Sequence, residues 1–489
     1  MTRAGALPPL AVAMAFIAAI ALMAAALTIA DPLFAPLVPG GLRRGVLAAQ
    51  PVLLPGFALA GLGLAVALAS TLARGLPTWE RAFLVAVFAA AQMNGLRFGP
   101  LDAFDVAVFG MLLVWIARRA LDSDRAIELP PLVFAAALLV LLQVPNLVHQ
   151  SPVRWAVGLF GMVRSLIVAF LVVNACSSRE RLRFAESALL VVAVASGTIA
   201  MLQFVLAYLG IFAFTLIDPP ESALKPTPIG LVMRASALCI TAQHMSGFLV
   251  FATPVAAWRL SERWRLRDAA ALAAILGGIL VSWNYGAMLA AMGLLGAFLF
   301  LRWPSRAIHL AALAATLVVL VWYTGLWRLL WGLSFGDQGV AKGVDQRMTL
   351  FRLGLEKMWR DPLVGTGLQG FAEFSGNFWH RPVHNAIGQA ATELGAAGAL
   401  VLVGTLFLML TQAALVAVES RGEARAVATR ATLMTLALML LMQSEPMLDH
   451  ANTWLVLGFV QATVLVLGRD GARRGVPRRR YIPGDTGAG

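Results

Sequence analysis

The chain has 489 residues, of which 60% are hydrophobic and only 13% charged, and its mean hydropathy is +0.80. So few polar residues cannot cover a soluble surface, which excludes an ordinary soluble globular protein and indicates a membrane protein. The net charge is +13, but the basic residues lie in short loops and in the C-terminal tail. This distribution is typical of membrane orientation and does not indicate nucleic-acid binding.

Apolar segments long enough to cross a bilayer recur along the sequence. Because lipid offers no water to free backbone groups, each segment is expected to be a helix of about 20 residues. We predict an all-α, polytopic membrane protein with about fourteen transmembrane helices, within a range of about 12 to 14. The predicted spans are 8–30, 51–72, 82–95, 101–117, 129–148, 155–175, 184–208, 236–258, 268–282, 285–302, 306–325, 394–418, 427–444 and 451–468. The first is expected to be a retained span and not a cleaved signal peptide.

Basic loops between the spans predict the orientation. They are residues 118–125, 179–183, 259–267, 302–306 and 421–425. Each follows an even-numbered span, so all share one side, which the positive-inside rule makes cytoplasmic. Both termini are then cytoplasmic, and residues 1–468 form a single transmembrane domain. The tail, residues 469–489, is basic and then rich in glycine, and we expect it to be disordered.

One large loop, residues 326–383, lies on the opposite side. Its segment "QRMTLFRLGLEKMWRDP" has apolar residues at helical spacing and ends at Pro362, which predicts an amphipathic helix stopped by proline. The following "VGTGLQGF" predicts a glycine-rich turn. A structural interpretation of the helix is an interfacial element whose basic residues contact lipid headgroups.

The candidate functional residues lie in and around this loop. His384 stands where the loop meets a span, and an imidazole there could activate a hydroxyl nucleophile or simply anchor the chain at the membrane surface. Arg234, Arg347 and Arg352 are the best placed to bind phosphate oxygens, because the planar guanidinium matches them. Glu393 lies in "TELGAAG", where small residues allow close helix packing, and hydrogen bonding to a neighbouring helix is the simpler interpretation of its carboxylate.

Several other chemistries are disfavoured by the sequence. Neither a P-loop, a GxSxG elbow nor a HExxH helix occurs, which disfavours ATP-driven transport, serine hydrolysis and zinc proteolysis. The only two cysteines, Cys176 and Cys239, support neither a disulfide framework nor a metal site. The outer carboxylates are mostly interleaved with basic residues, and Glu445 and Asp449 come nearest to a pair, so we expect catalysis without a divalent metal and without a cofactor.

Three segments together resemble the O-antigen ligase and polysaccharide polymerase superfamily of bacterial membrane proteins. They are "MRAS" with "AQHMSGFLV" within 233–250, "QRMTLFRLGLEKMWRDPLVGTGLQGF" at 346–371 and "HNAIGQAATELGAAG" at 384–398. The resemblance covers roughly residues 230–470, while the N-terminal half matches only as a set of spans. The resemblance depends on the order of the motifs and on the large outer loop.

The resemblance implies a GT-C-like membrane glycosyltransferase in the bacterial inner membrane. Its donor would be an undecaprenyl-diphosphate-linked glycan, and its acceptor the lipid A-core of lipopolysaccharide or a growing glycan such as an exopolysaccharide. His384 would act as the base or orienting group for the acceptor hydroxyl, and Arg234 and Arg347 would hold the diphosphate. Asn385 and Glu393 match the "HN" and "ExG" positions of the third segment and are further candidates for substrate binding.

One position departs from the family pattern, which often has an arginine between the ninth and tenth spans. This chain has "SWNYGA" at 282–287 instead. Another arginine would have to substitute, and Arg352 is the first candidate. The alternative function is a transporter or flippase for lipid-linked glycans, which would also use cavity-facing arginines. A third alternative is a structural subunit of an envelope complex.

Overall fold

The computed structural model describes most of the chain from residue 79 onward. The described residues are 79–98, 101–121, 127–148, 150–209, 215, 217, 223–227, 230–305, 308–309, 316, 340–374, 376–378 and 380–473. The predicted spans at 8–30 and 51–72, nearly all of the span at 306–325, and the tail beyond residue 473 lie outside them.

Within that part of the chain the fold is helical, with thirteen α-helices. They are α1 (Trp79–Ala91), α2 (Ala103–Leu121), α3 (Pro131–Gln143), α4 (Pro152–Ala175), α5 (Arg179–Tyr208), α6 (Ala242–Arg263), α7 (Leu266–Val281), α8 (Tyr285–Arg302), α9 (Val340–Arg360), α10 (Ala386–Glu393), α11 (Gly395–Glu419), α12 (Gly422–Leu441) and α13 (Ala451–Arg473). Two short antiparallel hairpins join β1 (Arg97–Phe98) to β2 (Leu101–Asp102) and β3 (Leu224–Thr227) to β4 (Gly230–Met233). Two 3-10 helices cover Val144–Val148 and Gly370–Glu373.

Seven helical segments among the described residues are long and apolar enough to cross a membrane. They are Pro131–Val148, Pro152–Ala175, Arg179–Tyr208, Tyr285–Arg302, Gly395–Glu419, Gly422–Leu441 and Ala451–Asp470. The prediction of a helical membrane protein is confirmed at this level. Helices also cover four further predicted spans, in α1, α2, α6 and α7, but these are too short or too polar to qualify. The number fourteen therefore stays a prediction.

One end of the bundle is fastened by ion pairs, and we call it the ion-paired end. At the start of α5, Arg179 forms an ion pair with Asp470 of α13, and Arg183 forms one with Glu423 of α12. Glu186, one turn further along α5, accepts two hydrogen bonds of 2.7 Å from the buried Arg430 of α12. Because the basic residues of several loops meet here, this end carries most of the charge that predicted the orientation.

The opposite end, which we call the polar end, gathers polar side chains where helices begin or finish. Asn284 caps α8 and also donates to the Ser246 hydroxyl of α6 over 3.0 Å. His244 of α6 stacks on His450, just before α13, with ring centroids 4.0 Å apart. Between the two ends the core is mainly apolar, and α13 is the most enclosed of the candidate spans, with 83% of its apolar window buried.

The predicted amphipathic helix and glycine turn are both present at the polar end. The helix is α9, and the turn that follows holds Gly365 and Gly367 at φ values of 70° and 75°, which glycine adopts without strain. α9 buries Leu350 against Phe371 and Val383. This contact joins α9 to the segment that leads into α10 and so fixes where His384 lies.

Candidate functional site

The loop that carries His384 is held against the turn between α12 and α13. The backbone N–H of Ala386 donates to the carbonyl of Met442 over 2.8 Å. Asn385 caps α10 by accepting from the N–H of Gly388, and its amide donates to the Gln443 side chain over 3.3 Å. Asn385 therefore caps the start of α10, and His384, the residue before it, is half-buried at the edge of this helix.

Arg347 reaches the same turn from α9. Its Nη1 lies 3.5 Å from the carbonyl oxygen of Ser444. The rest of the Arg347 side chain is exposed, so the guanidinium is available at the surface of the polar end.

Arg234 approaches from the other side, where β4 leads toward α6. The backbone N–H of Arg234 donates to the carbonyl of Ala223, and the N–H of Ala235 donates to the carbonyl of Val281. The Nε of Arg234 donates to the Ser282 carbonyl over 3.3 Å. The Arg234 guanidinium thus lies against the turn between α7 and α8, whose sequence "SWNYGA" contains no arginine.

Electrostatics link these groups into one arginine–histidine cluster, which consists of Arg234, Arg347, Arg381, His384 and Glu445. Burial lowers the pKa of Arg234, while the neighbouring Glu445 raises it and Arg347 lowers it. Burial and the charges of Arg347 and Arg381 lower the pKa of His384 to about 4. His384 is therefore neutral at pH 7, and its buried Nδ1 has no hydrogen-bond partner among the described residues.

Two of the predicted site residues lie apart from this cluster. Arg352 is exposed on α9, and five residues at about 100° per residue place it about 140° around the helix from Arg347. Glu393 is completely buried at the end of α10, where it accepts from the Gln389 amide over 3.1 Å. Burial and the nearby Asp449 raise the pKa of Glu393 to about 8, so this carboxyl is largely protonated at pH 7.

Sequence reasoning missed Arg164 and undervalued Glu445. Arg164 lies in the middle of α4 and donates to Asp105 of α2 over 2.8 Å and to the backbone carbonyl of Asp449 over 3.4 Å. A charged residue inside an apolar span is by itself a signal of a special role, and it could have marked Arg164. The sequence indicates Glu445 only as half of a possible metal pair, because its neighbours Arg234 and Arg347 are distant in sequence.

The charged groups suit an anion better than a cation. Three arginines of the cluster face one carboxylate, so the cluster has a positive charge. Among the described residues, no group of three or more histidine, cysteine, aspartate or glutamate side chains is arranged to hold a metal ion.

Comparison of the chain with protein-family models and with curated proteins gave no significant match. The class of protein defined by the fold is a helical membrane protein with a positively charged cluster at one end of its bundle.

Proposed function

We propose that the chain is a membrane glycosyltransferase that moves a glycan from an undecaprenyl-diphosphate carrier to an acceptor hydroxyl at the periplasmic face of the bacterial inner membrane. O-antigen ligation and surface-polysaccharide polymerisation are both reactions of this kind. The observation that carries the proposal is the convergence of Arg234, Arg347 and His384 at the polar end, opposite the ion-paired end.

The orientation that the proposal needs follows from the basic loops. If the ion-paired end is cytoplasmic, as the positive-inside rule predicts, the arginine–histidine cluster faces the periplasm. Arginines on that side need an anionic partner, and a lipid-linked diphosphate would present one at the membrane surface. The exposed guanidinium of Arg347 can contact it directly, with Arg234 behind it at the turn between α7 and α8.

The reaction assigned to the cluster is a displacement at the anomeric carbon of the donor sugar. The acceptor oxygen forms a bond to that carbon while the bond from carbon to the diphosphate oxygen breaks. The electron pair leaves with the diphosphate, where Arg234 and Arg347 stabilise the added charge. The proton of the acceptor hydroxyl passes to His384, which is neutral and whose Nδ1 has no hydrogen-bond partner within the described part of the chain.

Donor binding would also activate the base. The positive charges of Arg347 and Arg381 lower the pKa of His384, so free His384 is a weak proton acceptor. A bound diphosphate would offset these charges and raise the pKa of His384 toward neutrality. The histidine would then become an effective base only when the donor is in place.

The test is glycan transfer by purified protein, given lipid-linked donor and acceptor, with alanine variants of the cluster. Removing one charge-assisted contact to phosphate costs about 1.5 to 3 kcal/mol, so Arg347→Ala should slow transfer at least about tenfold. His384→Ala should slow it by about a hundredfold or more if the imidazole is the base.

Arg425→Ala is the matched control, since Arg425 is an exposed arginine at the start of α12, at the ion-paired end. It should leave transfer unchanged. Near-normal transfer by the His384 and Arg347 variants would refute the assigned roles. In cells that lack the protein, lipid-linked units trapped on the inner leaflet would instead support a flippase.

A further inference from the structure

A cavity of about 700 Å³ lies where α9 ends, and we call it the α9-end cavity. It is lined by Gln150, Ser151, Lys357, Arg360, Asp361, Pro362, Leu363, Val364, Gly365, Thr366, Gly370, Glu373 and Phe374. None of these residues belongs to the arginine–histidine cluster. The size is in the range of sites that bind small ligands.

The charges that line the α9-end cavity cancel. Lys357 and Arg360 supply two positive charges, and Asp361 and Glu373 supply two negative charges. Lys357 pairs with Asp361, and Glu373 pairs with Arg154 just outside the lining. With Arg154 counted, three positive charges stand against two negative ones, and two of the three cations are held in ion pairs. The arginine–histidine cluster sets three arginines against one carboxylate, so the cluster suits a diphosphate better than this cavity does.

The neutral part of the lining combines hydrogen-bonding side chains with the apolar Pro362, Leu363, Val364 and Phe374. Gln150, Ser151 and Thr366 add an amide and two hydroxyls to the four charged side chains. Ligand sites for apolar molecules have mostly apolar walls with few polar groups. A wall that adds charged side chains, an amide and two hydroxyls to a few apolar groups suits a ligand that is covered with hydroxyl groups, which is the chemistry of a neutral sugar.

The wall of the cavity is preformed by the glycine turn. The Gln150 amide donates to the Leu368 carbonyl over 3.0 Å, and the Leu368 N–H donates to Gln143 over 3.0 Å. A Cβ on Gly365 would lie 2.6 Å from the Glu393 carbonyl carbon, so only glycine allows the turn to pack this closely. Because the turn is already ordered, a ligand would lose little free energy in ordering it, and this favours binding.

The cavity lies well away from the reacting atoms. Lys357 and Arg360 follow Arg347 by ten and thirteen residues on the same helix, which corresponds to about 15 to 20 Å along its axis. A single sugar could not contact both places. A glycan chain could, with one end at His384 and a later part in the cavity.

We propose that the α9-end cavity is a subsite for an uncharged segment of a glycan chain, several sugars away from the bond that is made. The proposal rests on the proposed function, since it assigns the cavity to a substrate of that reaction. Binding energy from a remote part of a substrate can position the reacting end. The same chemistry could come from the acceptor glycan or from the donor glycan.

The first experiment measures binding without transfer. Full-length protein in detergent is titrated with oligosaccharides of graded length released from the surface polysaccharide of the bacterium that encodes it. Lys357→Gln should weaken binding of the longer oligosaccharides about tenfold, the effect of losing one charge-assisted hydrogen bond. Glu356→Gln, an exposed neighbour on α9 that does not line the cavity, should leave the affinity unchanged.

A charge reversal separates ligand binding from folding. The double variant Lys357→Asp with Asp361→Lys keeps an ion pair at the same spacing but exchanges donors and acceptors in the cavity. It should unfold at the wild-type temperature and still bind the oligosaccharides about tenfold less tightly. Wild-type affinity in both Lys357 variants, or no binding by the wild-type protein, would overturn the proposal.

The second experiment identifies the source of the glycan. Transfer is measured with acceptors of graded length at constant donor, and with donors of graded length at constant acceptor. An acceptor KM that falls with length and rises in the Lys357 variants assigns the cavity to the acceptor, and the reverse pattern assigns it to the donor. No length dependence in either arm overturns the proposal, while transfer that stays sensitive to His384→Ala leaves the proposed function standing.

Discussion

At the scale of single residues, His384 shows how a site can be arranged for a charge that is not yet present. Its imidazole is half-buried next to Arg347 and Arg381, and these surroundings lower its pKa to about 4. The same arginines that disfavour the protonated histidine are those that a diphosphate would neutralise. Binding of the donor and readiness of the base are therefore thermodynamically linked.

This linkage predicts different pH profiles for free and donor-bound protein. The value of kcat/KM for the donor should decrease as pH falls through about 4, because His384 of the free protein becomes protonated there. The acid limb of kcat should lie at a higher pH, because bound diphosphate raises the pKa of His384. Arg381→Gln should move the acid limb of kcat/KM to a higher pH, because the variant lacks one of the positive charges that lower the pKa of His384. Coincident limbs in kcat and kcat/KM would contradict the linkage.

Glu393 predicts a pH effect on stability. Its pKa is about 8 in the folded protein and about 4.5 when unfolded. Between these values the unfolded chain releases a proton that the folded protein keeps, so the free energy of unfolding falls as pH rises. Glu393→Gln cannot ionise and should make thermal unfolding in detergent less dependent on pH. The exposed Glu419→Gln should retain the wild-type slope, and an unchanged slope in Glu393→Gln would refute the assignment.

At the scale of elements, α9 and the turn after it were predictable, because the signals are local. Helical spacing, Pro362 and three nearby glycines are all within one segment. The face of α9 that meets the cluster was not predictable, since it depends on how Leu350 packs against Phe371 and Val383. The sequence offers both Arg347 and Arg352 as candidates for binding phosphate, while the fold brings only Arg347 to the turn between α12 and α13.

The glycine turn offers a matched pair of substitutions. Gly365→Ala puts a side chain at a φ of 70° and 2.6 Å from a backbone carbon, so the protein should be destabilised by about 2 to 4 kcal/mol. Gly404→Ala, at an exposed helical glycine with nothing within 4 Å of the added carbon, should be neutral or slightly stabilising. The two variants are compared by their unfolding temperatures in the same detergent. Equal unfolding temperatures would show that the turn is not constrained.

At the scale of the whole molecule, the apolar pattern predicted a helical membrane protein, and this is confirmed at the level of seven qualifying helices. The convergence of Arg234, Glu445 and Arg347 was beyond the sequence, because more than 200 residues separate Arg234 from Glu445 and no local pattern reports such a distance. The pairing of α5 with α12 and α13 at the ion-paired end is equally non-local.

The two ends of the bundle should be reached from opposite sides of the membrane. A cysteine at exposed Gln369, in the glycine turn, should react with an impermeant thiol reagent added to the periplasmic side. One at exposed Glu262, near the end of α6, should react only after the cytoplasmic side is opened. The native Cys176 and Cys239 are buried and should give little background. The opposite labelling pattern would invert the orientation and remove the periplasmic reaction.

The central place of α13 has a consequence for biosynthesis. α4 packs along α13, and the start of α5 pairs with Asp470 near the end of α13, yet α13 is the last of the described helices to be made. At about 5 to 20 residues per second, α4 leaves the ribosome about 15 to 60 s before α13 is complete. During that interval the earlier helices lack the neighbour that they later enclose. The contacts of α4 and α5 with α13 therefore form only after the other described helices have been made, and a chain cut short before α13 would be an unfinished protein for the cell's membrane proteases to remove.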